Sequence, residues 1–482
     1  MFNVLSAAGR RGRGCGAMKA AAFAGLSLST CMAIGQQGST SAIGRDIKTE
    51  TAMKIMAPFT VAAVGDIIEL RPLYSNDPGF VPIVDRFHKA DASFGNLECS
   101  LIDFNNFQGP LAGFEAPLEV GAAIKAMGMT LVNRANNQAL GGGLEGMFST
   151  DRELDKLSIV HAGSGRDLQQ ARGPAYLETS KGRVALVGMN ADDDSYNITR
   201  SAATYRKNDL GGAPGTNVLH LTAYRVVSAD QIAQMRAIAA SVYGKGAPPQ
   251  PAPAAGSNRF KYFDNWFEAG PNPGAMNYEI NANDEQDILA SIRNGKVYAD
   301  FLIATVHAHQ LTFFSTAPNT EVEHNIPEFL IKLAHDAIDA GADMFISHGM
   351  HALRGIEIYK GKPIFYGLSN FIFEYGLQLN GTDVLDNERQ VQRLENPIVN
   401  ESIQTMTTFD GGKLKEIRLY PVDLGGAHRP ISQVGIPLES SAEDAARILQ
   451  ELDKLSRPLG TTIKMANGVG VIQFSDSASA IH

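Results

Sequence analysis

Apolar runs of strand length alternate with segments of helical spacing along this chain. The apolar runs are FTVAAVG (59–65), ASFGNLE (92–98), MTLVN (129–133), SIVHAG (158–163), RVALVGMN (183–190) and FLIATVHAHQ (301–310). Helical spacing is found in VPIVDRFHKA (81–90), APLEVGAAIKAMG (116–128) and LEGMFSTDRELDKLS (144–158). Near-continuous apolar strands between helices predict an α/β fold, in which a sheet is covered on both faces by other layers.

Polar residues stand where the apolar runs end. They are Asp66, Asn96 with Glu98, Asn137, the three aspartates at 192–194, His307 with His309, and His348 with His351. In sheets of this kind ligands bind beyond the carboxyl ends of the strands. The pattern therefore predicts a functional site at that edge.

The rhythm breaks over 201–280, which is rich in Gly, Pro and Asn and contains Trp266, the only tryptophan. We interpret this region as an insertion between the halves of one domain, either a lid or substrate wall or a flexible surface excursion. Later patterns predict helices at 284–295, 326–341 and 441–456, a hairpin turning at Lys360-Gly361, and a last strand at 468–474.

Composition narrows the class of protein. With 482 residues and 44% hydrophobic content, the chain can bury one large core or two ordinary ones. The net charge of −9 argues against a nucleic-acid partner, because such proteins carry a basic face. The predicted domain covers 55–425, and 426–482 form a C-terminal extension.

The N-terminus has the layout of a secretory signal peptide (1–35), followed by a polar linker (36–54). A positive segment precedes AAAFAGLSLSTCMA, and polar QQGSTS follows. A disordered, alanine-rich tail is the alternative. Export to the periplasm or cell envelope is the expectation, and Cys99 is then the one cysteine left, which excludes an internal disulfide and a cysteine-based zinc site.

Four of the chain's 11 histidines follow two apolar strands, as His307-x-His309 and His348-x-x-His351. An H-x-H pair on an extended strand end directs both rings to one side. A single histidine is more often structural, but converging imidazoles with carboxylate oxygens favour a transition-metal site. Two ions held there could activate a water and stabilise a leaving oxygen.

Other motifs carry little weight. GGGLEG (141–146) matches G-x-G-x-x-G, but no strand stands immediately before it and no ribose-binding acid ends the next strand. The sequence contains neither a G-x-S-x-G elbow nor a Walker A loop. These absences remove the simplest serine-hydrolase and nucleotide-binding hypotheses.

Several blocks, in this order, resemble the bacterial capsule-synthesis protein family (CapA, poly-γ-glutamate type), a branch of the calcineurin-like metallophosphatases. They are AAVGDIIELR, FGNLECSL, VNRANNQAL, the HAH run and SHGMHALRGIEIYKGKPIFYGLSNFIFE. The resemblance runs from about 58 to 375 apart from the insertion. It implies a four-layer αββα sandwich with two divalent ions (Mn, Fe or Zn) at the strand ends. The implied ligands are Asp66, Glu98, Asn137, His307, His348 and His351.

The chain departs from the family pattern at four positions. Where the family has Asn-Asn-His and then Leu-Asp, this chain has Asn137-Gln138 and Leu140-Gly141, and glutamine cannot exchange a proton near neutral pH. Gln310 replaces a common glutamate, and Gly349 stands where many members have another histidine.

Two hypotheses follow. The first is an exported metal-dependent hydrolase acting on a phosphoester or an amide, in a small molecule or a polyanionic γ-glutamyl polymer. His309 or Glu357 would transfer protons, and Arg354 would bind an anionic substrate group. The second is a non-catalytic polymer-binding or assembly protein that keeps the sandwich and at most a structural metal.

Overall fold

A computed structural model describes residues 47–192, 202–207, 211–242, 258–314, 321–374 and 395–474. The predicted signal peptide, most of the linker and the 248–257 segment of the insertion lie outside the described residues. Among the described helices, none combines the length and apolar character needed to cross a membrane.

The described strands form two ten-stranded sheets and two short two-stranded ones. In chain order they are β1 (Phe59–Ile68), β2 (Ala92–Leu97), β3 (Ser100–Ile102), β4 (Glu115–Pro117), β5 (Leu131–Asn133), β6 (Val160–Ala162), β7 (Ser164–Gly165), β8 (Ala175–Thr179), β9 (Gly182–Asp192), β10 (Gly215–Thr216), β11 (Val218–Val227), β12 (Arg259–Tyr262), β13 (Asn265–Ala269), β14 (Met276–Ile280), β15 (Phe301–His307), β16 (Met344–His348), β17 (Ile356–Tyr359), β18 (Lys362–Phe365), β19 (Asn370–Phe373), β20 (Glu401–Asp410), β21 (Lys413–Asp423), β22 (Leu438–Glu439), β23 (Lys464–Ala466) and β24 (Val469–Gln473).

The first large sheet has the order β23-β24-β21-β20-β1-β2-β5-β6, with β19 on β1 and β22 on β21. The second has the order β12-β13-β11-β9-β15-β16-β18-β17, with β14 on β11 and β8 on β9. The described α-helices are α1 (Ile47–Glu50), α2 (Val81–Lys89), α3 (Glu119–Ala126), α4 (Gly143–Lys156), α5 (Leu168–Arg172), α6 (Ala229–Val242), α7 (Ala282–Val297), α8 (Glu328–Asp339), α9 (Pro397–Asn400) and α10 (Ala442–Ser456).

The two large sheets pack face to face. Phe59 of β1 contacts Phe301 of β15 with ring centroids 5.4 Å apart, within one buried cluster drawn from both sheets. Alternate residues face outward: Ala62 of β1 packs in a cluster with α2 and α3, and Leu302 of β15 packs with α7 and α8. Helices thus cover the outer face of each sheet, and the predicted α/β class is confirmed.

Alternation along the strands also positions the polar residues. The inner positions of β2 are Ala92, Phe94 and then Asn96, and those of β15 include Phe301, Ile303 and then His307. Each inner row is therefore apolar until the carboxyl end, where it becomes polar. In the second sheet His307 is in register with His348 on one side and Asn190 on the other.

The region 201–280 contains more sheet than the sequence pattern suggested. The first residues of β11 pair in parallel with β9, from Val218 opposite Asn190 onward. The rest of β11 pairs with β13 and β14. Met276 N on β14 donates to Thr312 O (2.8 Å), which joins this lobe to the chain that follows the HAH run. The polar residues within VLHLTAYRVV interrupt its apolar run, so the sequence pattern did not predict this strand.

The C-terminal part contributes directly to the first sheet. β20 pairs antiparallel with β1, β21 pairs with β20, and β24 pairs with β21. The predicted helix near 441–456 and the predicted last strand are present as α10 and β24. The predicted hairpin joins β17 and β18, and both turn residues, Lys360 and Gly361, have positive φ (50° and 75°), as a two-residue hairpin turn requires.

Candidate metal centre

A β-bulge aims Asp66 between the sheets. Simple alternation from Val61 and Ala63, which face inward, would direct Asp66 outward. The register of β1 against β2 shifts between Ala63 and Asp66, so that Asp66 lies opposite the inward-facing Asn96. Gly65 permits this path because a Cβ there would lie 1.8 Å from Ser369 O.

Asp66, His307 and His348 form the first group of candidate ligands, with one ligand atom of each within 4.8 Å of the others. Asp66 Oδ1 lies 3.9 Å from His307 Nδ1 and 3.5 Å from His348 Nδ1. The two Nδ1 atoms are 3.1 Å apart. All three side chains are buried.

Glu98, His309 and His351 form the second group under the same distance limit. The two groups touch through His307, whose Nε2 lies 2.8 Å from His309 Nε2 and 3.8 Å from Glu98 Oε1. They also touch through Asp66, whose Oδ2 lies 3.3 Å from His351 Nδ1. His309 and His351 are half-buried, so the second group is nearer to solvent.

Hydrogen bonds orient the Asp66 carboxylate. Asn96 Nδ2 donates to Asp66 Oδ1 (2.8 Å), and the backbone N–H of Gly349 donates to Oδ2 (3.0 Å). Asn96 is itself held, since its Oδ1 accepts from Asn133 Nδ2 at 2.9 Å and from Asn136 Nδ2 at 3.0 Å. These three hydrogen-bonded asparagines thus hold the Asp66 carboxylate in place.

Neighbouring oxygens select the tautomer of two histidines. Thr305 Oγ1 donates to Ile346 O (2.8 Å), so it accepts from His348 Nε2 (3.0 Å) and leaves His348 Nδ1 with a lone pair facing Asp66. Asn370 Oδ1 accepts from His351 Nδ1 (2.7 Å), which leaves His351 Nε2 as the free ligand atom. Such partners are the usual outer support of metal-binding imidazoles.

The ionisation states suit metal ligands. Burial alone would raise the pKa of Asp66, but the hydrogen bond with His351 and the nearby imidazoles hold this pKa well below its ordinary value. Burial lowers the pKa of His348 to about 4, and burial with the neighbouring His309 and His348 lowers the pKa of His307 well below its ordinary value. At neutral pH the group therefore combines an ionised carboxylate with neutral imidazoles.

The close approach of ring nitrogens supports a cation at this place. His348 Nδ1 directs a lone pair toward His307 and Asp66, and each neutral imidazole has one such lone pair with which to hold a cation. Asn137, a predicted ligand, is half-buried, and its Oδ1 has no hydrogen-bond partner in the described part of the chain. The mixed imidazole and oxygen donors fit Zn, Mn or Fe.

Gly349, which stands where many members of the resembling family have a histidine, is tightly enclosed. Its φ of +103° is left-handed, and a Cβ there would lie 2.9 Å from His307 Cε1 and 3.0 Å from Ala308 N. A side chain would push His307 out of its place. Glycine at 349 is therefore required for the position of His307 in the first group of candidate ligands.

The structure does not bring Glu357 to this cluster. Ile356 faces the inter-sheet core, so Glu357 lies on the outer face of the second sheet. There it contacts His335 Nε2 (2.9 Å) and accepts from the Tyr366 hydroxyl (2.6 Å). The polarity and position of Glu357 in the sequence could not reveal which face it takes.

Arg354 is buried beneath the site, with its guanidinium on backbone carbonyls. Its Nε donates to Glu323 O (2.8 Å) and its Nη2 to Gln310 O (3.1 Å). Burial lowers the pKa of Arg354 to about 10. In this arrangement the guanidinium fixes the chain that follows the HAH run.

Gln138 lies beside Gly141 and Glu115. The backbone N–H of Gln138 donates to Asn136 Oδ1 (3.1 Å), and a Cβ at position 141 would lie 3.6 Å from Gln138 Oε1 and 3.4 Å from Glu115 Oε1. Glu115 accepts from the backbone N–H of Gly113 (2.9 Å). An aspartate at 141 would therefore meet a carboxylate that is already present.

Sequence reasoning missed the supporting residues Asn133, Asn136, Thr305 and Asn370, and it missed Asn190, which is the register partner of His307. The signal that could have found them is the alternation of inward and outward residues along a strand, since Asn133, Asn190 and Thr305 occupy inward positions near the ends of otherwise apolar strands. This alternation becomes informative only after the inner face of each strand is known.

An α/β sandwich with imidazoles and carboxylates gathered at its strand ends defines a candidate metalloprotein. The chain belongs to the family described as Bacterial capsule synthesis protein PGA_cap, whose model matches residues 41–375. The resemblance drawn from the sequence is thereby confirmed.

Individual relatives agree with this membership. The chain is 35% identical over 461 residues to y4sH of Sinorhizobium fredii (strain NBRC 101917 / NGR234), covering 89% of this chain and 96% of that protein. It is 24% identical over 296 residues to the PGA biosynthesis protein CapA of Bacillus subtilis (strain 168), covering 60% of this chain and 55% of CapA. It is 22% identical over 351 residues to the capsule biosynthesis protein CapA of Bacillus anthracis, covering 68% and 66%.

Proposed function

We propose that this protein is an exported, metal-dependent hydrolase of capsule or poly-γ-glutamate metabolism, related in fold to the calcineurin-like metallophosphatases. It would cleave a phosphoester or an amide bond in a small molecule or a polyanionic γ-glutamyl polymer. The observation that carries the proposal is the convergence of two adjoining groups, each with one carboxylate and two imidazoles.

Each part of the cluster has its own task in this proposal. Asp66, His307 and His348 hold one divalent ion, and Glu98, His309 and His351, with the Asn137 oxygen, hold a second. Bound ions supply Lewis acidity and an activated water. Asn96 and the Gly349 amide keep the Asp66 carboxylate in place, and Thr305 and Asn370 keep the proton of His348 and His351 on the ring nitrogen that does not face the ion.

The remaining predicted residues take other parts. With glutamine at 138, the general acid beside the ions is not a histidine on that loop. Glu357 and Arg354 stay outside the chemistry, because their side chains are engaged on the outer face and below the site. Because positions 138 and 141 carry no titratable side chain, this loop has no donor for a leaving group, which favours substrates with good leaving groups.

Elemental analysis of protein purified without chelators or an affinity metal column tests the metal site. We expect about two transition-metal ions per chain. His348→Ala should lose metal, whereas His335→Ala should retain it, because His335 contacts Glu357 on the outer face. Absence of metal in the wild type after reloading contradicts the proposal.

Turnover tests the reaction. Metal-loaded protein should hydrolyse a p-nitrophenyl phosphoester or a γ-glutamyl anilide, and His348→Ala should lose that activity while His335→Ala keeps it. Cell fractionation tests export: the mature chain should be recovered in the periplasm or envelope.

Loss of the proton-transfer pair favours a second candidate function, a non-catalytic polymer-binding or assembly protein. Positions 138 and 141 carry no titratable side chain. The double substitution Gln138→His with Gly141→Asp separates the two hypotheses. A sharp rise in turnover indicates a weakened enzyme; full metal content with no turnover in either protein indicates the assembly role.

A further inference from the structure

Asn190 is a buried amide at the edge of the candidate metal centre, next to His307. It is 0% exposed and is the register partner of His307 across the parallel β9–β15 ladder. Val184 and Leu186 of the same strand face the inter-sheet core, while Met189 faces the outer helices. Alternation therefore directs the Asn190 side chain inward, on the same face as His307.

The carboxamide of Asn190 lacks partners within the described chain. Neither Nδ2 nor Oδ1 makes a hydrogen bond, although the backbone N–H of Asn190 donates to Asn217 O (2.9 Å). A buried amide without partners destabilises the folded state, since it has lost its bonds to water. The neighbouring amides differ: those of Asn96, Asn133 and Asn136 are all hydrogen-bonded.

The inner face around Asn190 is polar. Gly188, two residues earlier on the same face, leaves room for Asn133, whose Oδ1 lies 2.2 Å from the place of a Cβ at 188. Asn133 thus fills the inner face beneath Asn190. Since the described chain gives the buried amide of Asn190 no hydrogen-bond partner, a partner outside the chain would explain it.

We propose that Asn190 binds a small oxyanion held at the metal centre. Its Nδ2 would donate to an anionic oxygen beside His307, and its Oδ1 would accept from a hydroxyl or a water on the same ligand. A phosphate or a carboxylate meets this description, and both gain from the cations that the two ligand groups would hold. This inference rests on the proposed function, since it requires the metal.

Calorimetric titration of the full chain loaded with Mn²⁺ tests the inference, with inorganic phosphate and γ-glutamylglutamate as separate probes. The variant is Asn190→Leu, which keeps the number and branching of the side-chain heavy atoms and removes the amide. The control is Thr407→Val: Thr407 Oγ1 is also buried without a partner in the described chain, but it lies beside Val61, away from the strand ends. Metal content is measured in every sample.

We expect Asn190→Leu to keep its metal and to bind at least one probe about tenfold more weakly than the wild type, because a hydrogen bond to a charged group is lost. Thr407→Val should bind like the wild type. Weaker binding of inorganic phosphate indicates a phosphate ligand, and weaker binding of γ-glutamylglutamate indicates a carboxylate ligand. Metal-free Asn190→Leu should melt no lower than the wild type, since it removes an unsatisfied amide.

Other outcomes overturn the inference. Equal probe affinity in the variant and the wild type makes the amide a packing feature, and loss of metal in Asn190→Leu makes it a support of the ions. Binding of neither probe by a metal-loaded wild type also refutes the oxyanion role while leaving the metal site intact. A wild type that takes up no metal refutes the proposed function and this inference together. If Asn190→Leu does not fold, Asn190→Ala provides the same comparison.

Discussion

Thr305→Val removes the hydroxyl that sets the proton on His348. Thr305 is fully buried, donates to Ile346 O (2.8 Å) and lies 3.0 Å from His348 Nε2. Valine keeps the shape of the side chain but offers no acceptor. The Nε2–H of His348 then has no partner unless the proton moves to Nδ1, the atom that faces Asp66.

The size of the effect on stability and on metal affinity follows from the two possible positions of the His348 proton. If the proton stays on Nε2, a buried donor is left unsatisfied, at about 1–3 kcal/mol of folding stability. If it moves to Nδ1, the metal-free fold is relieved, but the ligand atom is blocked. The metal-binding form needs the proton on Nε2, where valine offers no acceptor, and we expect affinity for the metal to fall by about 10–100-fold, the usual effect of losing such a support.

Competition with a coloured chelator measures this affinity, and Thr407→Val is the matched control. It makes the same substitution at another buried threonine of the sandwich, in register with Val61 and away from the strand ends. Thermal melting of the metal-free proteins accompanies the titration. Equal metal affinities for Thr305→Val and Thr407→Val would refute the tautomer argument.

Three further substitutions test other parts of the structure. Lys296 is paired with Asp343 at 2.6 Å, and both side chains are fully buried. Asp343→Asn removes this counter-charge and should destabilise the fold by about 3–5 kcal/mol in urea denaturation. An unchanged unfolding midpoint would contradict this expectation. Burial, and next the charge of Glu374, raise the pKa of Glu69 well above its ordinary value of 4.5. The folded state therefore loses stability as pH rises from 4.5 through the raised pKa of Glu69. Glu69→Gln should be more stable to urea than the wild type at pH 8 and equal to it below pH 4.5. Gly349→Ala should lower metal content in elemental analysis, since its Cβ has no room at φ +103°, and full metal content would refute the close-contact argument.

Much of the fold could be predicted because strand burial leaves a direct trace in the sequence. The apolar runs before His307 and His348 marked buried parallel strands, and their shared edge followed from the geometry of such sheets. The first strand was harder, because the bulge that turns Asp66 inward reverses the parity of the chain. The sequence nevertheless marked Asp66 as a candidate oxygen ligand, because it stands where an apolar run ends.

The parts that could not be predicted depend on contacts between distant segments. β11 was hidden because half of it pairs with β9 and half with β13 and β14, so its sequence follows no single period. Glu357 looked available until the hairpin register placed it on the outer face. Asn190 and Thr305 acquire their meaning from neighbours in register, which one sequence does not specify.

The pairing of β20 with β1 has a consequence for the order of events at the ribosome. Phe59 on the strand that carries Asp66 pairs with Phe409, so one edge of the first strand waits for a partner made some 350 residues later, although its other edge pairs with β2. The nascent chain cannot complete its first sheet until residue 409 has been made. The candidate ligand Asp66 therefore lies on a strand whose sheet is completed only when distant parts of the chain have been joined.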